Sequence, residues 1–482
     1  MCRFALCYAG RATFLRHGLL AACAAMLCVG FSAHAGAAPR QNFVVLLCDD
    51  LGYGDLSCFA HPVIRTPNLD RLASEGVKLT HCYSSSPVCS ASRAGLMTGR
   101  NHNRLGIRDW IPAGSGIYLR PGEVTVARLL KEAGYRTCHV GKWHLNSRTD
   151  GSEPTPGDAG FDYWLYTQNN AAPSHLDPTN FIRNGKRAGP LKGPSSHILV
   201  EEAIRWLDTV GGEPFFLNVW FHETHEPVAA AEEFLDLYPG ESNLDKRHYY
   251  GDVSQMDAAV GKLMKYLDNR GLRDSTLVFF SSDNGPETLK RYPAGRRSYG
   301  SPGLLRGMKL HITEGGYHVP GIVRWPGHAR PGTVSAEPVS NLDLLPTFCE
   351  IAGIRPPTWD GLAIRPTGRA LDGASILPLF EGKPVVRPHS LYWQYDFAIS
   401  RPWEVSLRDG PWKLLADKTL DRFELYNLSE DVGEARNVAG EHPDLVRKMA
   451  AEMKRLHAEI RVEGAQSGHP PPRQGKSPAT RS

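Results

Sequence analysis

The stretch NFVVLLCDDLGYGD, residues 42–55, is an apolar, partly β-branched run that leads into two adjacent acids. The run at 43–47 has the length and composition of a buried strand, and Asp49 and Asp50 would follow its carboxyl end. Two neighbouring carboxylates repel each other unless a cation or bulk water separates their charges. The stretch therefore predicts a buried strand that leads either into an oxygen-rich cation site or into two solvated loop acids.

The same arrangement of an apolar run followed by a polar loop returns further along the chain. Further strands are predicted within 136–140, 214–227 and 275–287. Amphipathic helical patterns lie between the strands, at 66–79, 124–133, 196–210 and 252–272. Helices that alternate with apolar strands predict an α/β fold, with a doubly wound, mostly parallel sheet flanked by helices. Such sheets bind ligands beyond the carboxyl ends of their strands, so polar residues at those positions are site candidates.

The predicted organisation changes near residue 385. The segment 39–385 is predicted to form the catalytic domain, and short strand patterns with an Asp-Gly-Pro turn at 409–411 follow it. Together with a last helical pattern, they predict a smaller C-terminal domain of antiparallel strands and one helix over 386–462. The remaining residues, 463–482, are proline-rich and basic, which predicts a disordered tail.

The N-terminus has the composition of a secretory leader. Arginines precede a short apolar core at 18–31 and small residues follow it, which predicts a signal peptide over 1–38 with cleavage near Ala35 or Ala38. The core is shorter than the roughly 20 residues that span a bilayer, so we expect an exported, periplasmic or secreted chain without a membrane span. The net charge of +4 and the lack of a long basic run argue against a nucleic-acid partner.

A second pair of oxygen-bearing side chains follows the predicted strand within 275–287. Asp283 and Asn284, in the sequence SDNG, stand there as Asp49 and Asp50 stand after the first strand. Three carboxylates and an amide without a soft ligand suit Ca²⁺ or Mg²⁺ rather than zinc. Two matching strand ends therefore favour a cation site over solvated acids.

Cationic side chains recur in short motifs near the other predicted strand ends. Lys142 and His144 lie in GKWH, His225 in FHETHEP, Lys309 in LRGMKLHITEGG and Arg93 in CSASR. Each of them alone is compatible with an ordinary surface or capping residue. Around one pocket with a divalent cation, they predict an anionic substrate with several oxygens, and phosphate and sulfate esters both fit.

Cys89 precedes Ser90, Ser92 and Arg93 in this last motif, and a helix is predicted to start near Ser90. On the residues alone, Cys89 could be a buried apolar residue, half of a disulfide, a metal ligand or a thiolate nucleophile. A phosphatase loop of the Cys-x5-Arg type does not fit, because Arg93 stands only four positions after Cys89. The nature of residue 89 therefore depends on the motifs around it.

The segment CSASRAGLMTGR, residues 89–100, resembles the signature of the type I, formylglycine-dependent sulfatases of the alkaline phosphatase superfamily. GKWH, the His-x-Pro element, SDNG and LRGMKLHITEGG occur in the order of that family, over about residues 42–460. Within the family, THEPV and GIRDW are most similar to the N-acetylgalactosamine-6-sulfatase and arylsulfatase A group. The resemblance implies an alkaline-phosphatase-like fold and a sulfuric ester hydrolase.

The resemblance also implies that Cys89 is oxidised by a separate maturation enzyme to Cα-formylglycine, whose hydrate is a geminal diol. One diol oxygen would attack sulfur and expel the alcohol, and the other would then release sulfate. A serine could not complete the second step, because it has no second hydroxyl. The implied ligands of Ca²⁺, or of Mg²⁺ in its place, are Asp49, Asp50, Asp283, Asn284 and the oxygen of residue 89.

The remaining roles also come from the resemblance. Arg93 and Lys142 would hold the diol with His144 beside them, whereas Lys309 and His225 would bind sulfate and protonate the leaving oxygen. His222 is expected to be structural. No motif identifies the remaining sulfate contact, although Gln168 and Asn169 lie in the right region. His318 stands where the family usually has arginine, which alters either packing or a substrate contact.

The implied substrate is a sulfate monoester, either an aryl sulfate or a carbohydrate such as galactose or N-acetylgalactosamine 6-sulfate. The segments 106–118 and 166–181 are predicted walls of the pocket, and their aromatic and polar residues suit a sugar. Two alternatives stay open: a formylglycine-dependent phosphonate monoester or phosphodiester hydrolase, and a protein that binds sulfated glycans without catalysis.

Overall fold

Strand β1, Asn42–Cys48, is buried along its whole length and lies inside the main sheet. Its alternate side chains face opposite sides of the sheet, so Phe43 and every second residue after it join one apolar cluster. Val44 and every second residue after it join another cluster. A strand that needs an apolar layer on both faces is continuously hydrophobic, which explains the composition of this stretch.

The computed structural model describes residues 40–288, 291–354 and 371–469, so the predicted leader lies outside the described residues. Within them no helix has the length and apolarity to cross a bilayer. The further strands are β2 (Val77–Tyr83), β3 (Arg136–Lys142), β4 (Tyr163–Thr167), β5 (Ile182–Arg183), β6 (Lys186–Arg187), β7 (Phe215–Trp220), β8 (Thr276–Ser282), β9 (His318–Arg324), β10 (Thr333–Ser335), β11 (Val339–Ser340), β12 (Leu391–Gln394), β13 (Trp403–Asp409), β14 (Trp412–Asp417) and β15 (Phe423–Asn427). The helices are α1 (Pro67–Ser74), α2 (Cys89–Thr98), α3 (Val126–Glu132), α4 (Ser195–Leu207), α5 (Glu232–Leu235), α6 (Leu244–Asn269), α7 (Glu314–Tyr317), α8 (Leu344–Ile351), α9 (Leu377–Phe380) and α10 (Pro443–Ala465).

The main sheet has the strand order β10-β2-β9-β8-β1-β7-β3-β4-β5-β6, with β11 also paired to β2. Its central strands β8, β1, β7, β3 and β4 are all parallel. The predicted α/β fold with helices on both faces is confirmed. Towards the edges the sheet is mixed, because β9 runs antiparallel to β8 and β2, and β5 runs antiparallel to β4.

The second sheet is antiparallel, has the order β12-β13-β14-β15, and packs against α10 through a third apolar cluster. Its β13–β14 hairpin turns at Gly410 and Pro411, as the sequence indicates. Helix α10 continues to Ala465, three residues past the predicted end of the small domain at 462, and residues 470–482 of the predicted tail lie outside the described residues. The helix extends because Glu463 pairs with Arg104 at 3.1 Å, and because Gly464 fits directly against the carbonyl oxygen of Asn103.

A buried ion network joins the two sheets. Lys413 of β14 is fully buried, and its Nζ lies 2.8 Å from a carboxylate oxygen of both Glu314 and Glu434. The other oxygen of Glu314 accepts from the Tyr83 hydroxyl at 2.7 Å. Burial alone would lower the pKa of Lys413, but the two carboxylates raise it above its ordinary value. The network fixes the small sheet beside the segment that carries Lys309.

We expect the Lys413→Met variant to lose about 3–5 kcal/mol of unfolding free energy, because it leaves two buried carboxylates without their cation. Thermal unfolding followed by circular dichroism measures this as a lowered Tm. Lys448→Met is the matched control, since the Lys448 side chain is 72% exposed and its ion pair lies at the surface. Equal Tm values for the two variants would contradict the role given to the network.

Candidate active site

The carboxyl ends of β1 and β8 bring four oxygen-bearing side chains together. The two strands are parallel and in register, with Cys48 opposite Ser282, so the residues that follow them meet at one edge of the sheet. These residues are all at most 1% exposed. They are Asp49, Asp50, Asp283 and Asn284. One oxygen from each of the three carboxylates lies within 4.8 Å of the others.

The donor set fits a hard divalent cation. Oδ1 of Asp49 and Oδ1 of Asn284 are buried and accept no hydrogen bond from the described residues. The Asn284 amide group donates to Asp50 Oδ1 at 2.7 Å, which fixes the orientation of that side chain. Burial raises the pKa of Asp283 to about 7 and that of Asp50 to about 6, because it removes the water that would stabilise their charges, and Arg93 and Lys309 offset this effect only in part. Ca²⁺ or Mg²⁺ would supply the missing compensation through oxygen ligands only.

Two cations of the protein lie against the same acids. Lys142 Nζ donates to Asp49 Oδ2 at 2.6 Å, and Arg93 Nε donates to Asp283 Oδ2 at 2.9 Å. Arg93 also donates to the carbonyl oxygen of Lys142 at 2.9 Å. Burial alone would raise the pKa of Asp49, but Lys142 lowers it well below its ordinary value. Lys142 is the last residue of β3, so this strand extends two residues beyond the predicted 136–140.

Lys309 and His225 both lie close to Asp50. Lys309 Nζ donates to Asp50 Oδ2 at 2.7 Å and lies 3.4 Å from Glu287 Oε2. His225 Nε2 lies 3.6 Å from Asp50 Oδ2, while its Nδ1 donates to the carbonyl oxygen of Glu226 at 2.9 Å. Burial lowers the pKa of His225 to about 4, so the ring is neutral at neutral pH. The cationic residues predicted from separate motifs therefore surround one acid cluster.

Cys89 is the first residue of α2, whose ten residues are all buried. The amide group of Leu310 donates to the carbonyl oxygen of Pro87 at 3.0 Å, which holds the Lys309 segment against the entry to α2. Burial raises the pKa of the Cys89 thiol to about 11, although Lys142 and Lys309 act to lower it. A thiol that is protonated at neutral pH is a poor nucleophile, which disfavours a thiolate mechanism. The other described cysteines are also free, namely Cys48, Cys58, Cys82, Cys138 and Cys349.

The segment 106–118 covers the start of α2. The amide group of Ile111 donates to Ser90 Oγ at 3.0 Å, and its carbonyl oxygen lies 3.1 Å from His144 Nε2. Gln168 Nε2 donates to the carbonyl oxygens of Ile111 at 3.3 Å and Asn146 at 2.8 Å, so its amide group holds this wall in place. His144 Nδ1 is buried and has no hydrogen-bond partner within the described ranges, which leaves it for a ligand.

Three further residues near the site, His318, His222 and Glu287, are also buried. His318 is 1% exposed and bonds Glu314 and the Thr80 carbonyl oxygen, so its departure from the family pattern affects packing and not a substrate contact. His222 is buried against Thr167 at 2.8 Å. Glu287, the second carboxylate beside Lys309, was not among the predicted site residues. Its only signal is its place three residues after Asn284.

Comparisons with known proteins agree with this geometry. The family model described as Sulfatase matches residues 41–354, and the one described as N-sulphoglucosamine sulphohydrolase, C-terminal, matches 308–461. Human arylsulfatase A is 32% identical over 475 residues, which cover 89% of each chain. Human N-acetylgalactosamine-6-sulfatase is 33% identical over 388 residues, covering 74% of this chain and 69% of that protein. The crystal structure of Ps i-CgsB with k-i-k-neocarrahexaose has a TM-score of 0.76 and 28% identity, covering 89% of this chain and 95% of that one.

Proposed function

Because the chain belongs to the sulfatase family and hydrolyses sulfate esters, we propose that it acts on sulfated carbohydrates with residue 89 as formylglycine and with one Ca²⁺. The observation that carries the proposal is the burial of Cys89 beside an oxygen-only acid cluster, whose Asp49 and Asp50 are paired with Lys142 and Lys309. A relative named N-acetylgalactosamine-6-sulfatase supports a galactose or N-acetylgalactosamine 6-sulfate as the substrate.

Conversion of Cys89 would supply two hydroxyl groups on one carbon, one to attack sulfur and one to release sulfate. Ca²⁺ would be held by Asp49, Asp50, Asp283 and Asn284, and it would neutralise charge on the sulfate. The start of α2 adds its first backbone amide groups and the positive end of a helix dipole at the same place. A protonated thiol has no hydroxyl group to attack sulfur or to release sulfate, so formylglycine at residue 89 fits the site better than unmodified cysteine.

The cations of the chain would bind and orient the sulfate ester. Lys142, fully buried beside Asp49, would place its charge next to residue 89 and hold the attacking hydroxyl. Arg93, paired with Asp283 at 2.7 Å, would keep that carboxylate in position and would hold the diol together with Lys142. His144 donates from Nε2 to the carbonyl oxygen of Ile111, so its free Nδ1 would accept a hydrogen bond from a hydroxyl of residue 89.

Lys309 and His225 would act on the leaving-group side. Lys309 reaches the site from the segment that follows β8 and would pair with the sulfate oxygens in place of Asp50. The hydrogen bond from His225 Nδ1 to the Glu226 carbonyl oxygen turns Nε2 towards the acids. Nε2 of the neutral ring is unprotonated, and an anionic ester bound beside it would raise the pKa of His225, so that the protonated Nε2 would then deliver its proton to the departing alcohol oxygen.

We expect that the protein, when it is co-expressed with a formylglycine-generating enzyme, hydrolyses 4-nitrophenyl sulfate several-fold faster than bis(4-nitrophenyl) phosphate. Peptide mass spectrometry of residues 83–93 from the same preparation measures the fraction of residue 89 that is converted. Faster turnover of the phosphodiester would favour the phosphodiesterase alternative. Activity that does not follow the converted fraction would contradict the formylglycine mechanism, and a fully converted but inactive chain would favour a glycan-binding protein.

We also propose that the leader at 1–38 exports the chain. N-terminal sequencing of the protein from the periplasm and the medium of its native host tests this. A mature start near residue 36 or 39 is the expected result, and an intact Met1 in the cytoplasmic fraction would contradict export.

A further inference from the structure

The segment that covers the start of α2 carries an aromatic ring that is exposed to solvent. Trp110 is 44% exposed, and its ring centroid lies 6.3 Å from that of His144. Its backbone is fixed on both sides, since the Trp110 amide group donates to Asp109 Oδ1 at 2.9 Å and the next residue bonds Ser90 at the start of α2. An exposed tryptophan with a fixed backbone beside an active-site histidine is a ready stacking surface.

Polar groups from the small sheet complete the same wall. The Tyr395 hydroxyl donates to Asp109 Oδ1 at 2.8 Å, and Arg108 lies 4.0 Å from Asp396. Among the described residues, both hydrogen bonds to the Asp109 carboxylate use Oδ1, which leaves Oδ2 for a ligand. The Tyr395 segment reaches the pocket because the Ile399 amide group donates to the carbonyl oxygen of Leu310 at 3.1 Å, one residue after Lys309.

We propose that Trp110 and Asp109, with the Arg108–Asp396 pair, form a binding site for the pyranose ring that carries the sulfate. This inference rests on the proposed function and deepens it by naming the residues that would select a sugar. A pyranose has an apolar face that stacks on an aromatic ring and equatorial hydroxyls that donate to carboxylates. An aryl or steroid ester could also stack on Trp110, but it would bury the charged groups without offering them hydrogen bonds, which costs free energy.

The Asp109→Asn variant tests the carboxylate. Asparagine can still accept from Tyr395 through its amide oxygen, so the fold is retained while the free anionic acceptor is lost. For galactose 6-sulfate and N-acetylgalactosamine 6-sulfate we expect kcat/KM to fall about 10- to 100-fold, mostly through KM. For 4-nitrophenyl sulfate we expect a smaller decrease, so the ratio of the two kcat/KM values changes about tenfold. Asp421→Asn is the matched control, because that side chain is 71% exposed and lies between β14 and β15. Its kcat/KM values for the sugar esters and for 4-nitrophenyl sulfate should equal those of the wild type.

A second pair of variants tests the aromatic ring. Trp110→Ala should raise KM for the sugar esters several-fold, and Trp110→Phe should restore most of the loss because it keeps a stacking face. Equal decreases for sugar and aryl esters in Asp109→Asn, or no decrease for the sugar esters, would overturn the pyranose site while leaving the sulfatase proposal intact. So would a converted wild type that cleaves the aryl ester and neither sugar ester. A converted wild type that cleaves no sulfate ester would overturn the proposed function and this site with it.

Discussion

The Cys89→Ser variant is expected to lose steady-state sulfate release by about 10⁴-fold or more, the loss typical of removing a nucleophile. Serine places one hydroxyl at the start of α2, between the acid cluster and the lysines, where Cys89 lies. That hydroxyl could accept the sulfuryl group, but nothing on the same carbon could then expel it. The variant should therefore release at most one equivalent of alcohol and retain a sulfate ester on the peptide of residues 83–93.

Mass spectrometry of that peptide after incubation with 4-nitrophenyl sulfate measures the trapped ester. Cys58→Ser is the control, because Cys58 is another free cysteine, only half-buried and outside the acid cluster. It should keep its activity and its Tm. Sustained turnover by Cys89→Ser near the wild-type rate would show that a single hydroxyl suffices and would contradict a geminal diol.

The Asp283→Asn variant is expected to lose both Ca²⁺ binding and stability. Asp283 Oδ2 lies 2.7 Å from Arg93 Nη2, and the next carboxylate, Asp49, lies 3.6 Å from that nitrogen. Neutralising Asp283 leaves a fully buried guanidinium with the more distant partner alone, at a cost of about 3–5 kcal/mol. It also removes one oxygen ligand with its charge. We expect the thermal stabilisation by added Ca²⁺ to disappear and the Tm without Ca²⁺ to fall.

Metal analysis after dialysis, with Asp421→Asn as the control, measures the bound calcium. Bound calcium equal to wild type in Asp283→Asn would remove this residue from the ligand set. The wild type offers an independent check with pH. Burial raises the pKa of Asp283 to about 7 and of Asp50 to about 6, so protons compete with the cation. Ca²⁺ affinity should therefore weaken as the pH falls through about 7 and then about 6, and a pH-independent affinity would contradict carboxylate ligation.

Much of this arrangement could be predicted because β1 and β8 are continuous apolar strands with acids directly after them. Parallel pairing in register then brings Asp49, Asp50 and Asp283 together without further information. The antiparallel edge at β9 could not be predicted. It follows a long stretch after Ser282 whose sequence has no regular apolar period, and its direction depends on tertiary pairing with β2.

Other parts depend on contacts between distant residues. The last turn of α10 is stabilised by the ion pair of Glu463 with Arg104, which lies far away in the sequence. The proline-rich sequence that follows Glu463 does not predict this pair. Glu287 pairs locally with Arg291 at 3.0 Å, so its sequence context is that of an ordinary loop acid, whereas its approach to Lys309 at 3.4 Å depends on another segment of the chain. Similarly, the packing role of His318 depends on Glu314 at 2.8 Å and on the carbonyl oxygen of Thr80 on β2.

The burial of Cys89 has a consequence for the order of events in biosynthesis. In the folded chain its side chain is 2% exposed, at the start of a helix buried on all sides. No second protein could enclose residues 89–93 there without pulling α2 out of the core. The proposed oxidation must then happen on the newly made polypeptide, before the sheet closes around it. Protein that folds with the thiol intact is expected to be a dead end, which adding the modifying enzyme afterwards cannot rescue.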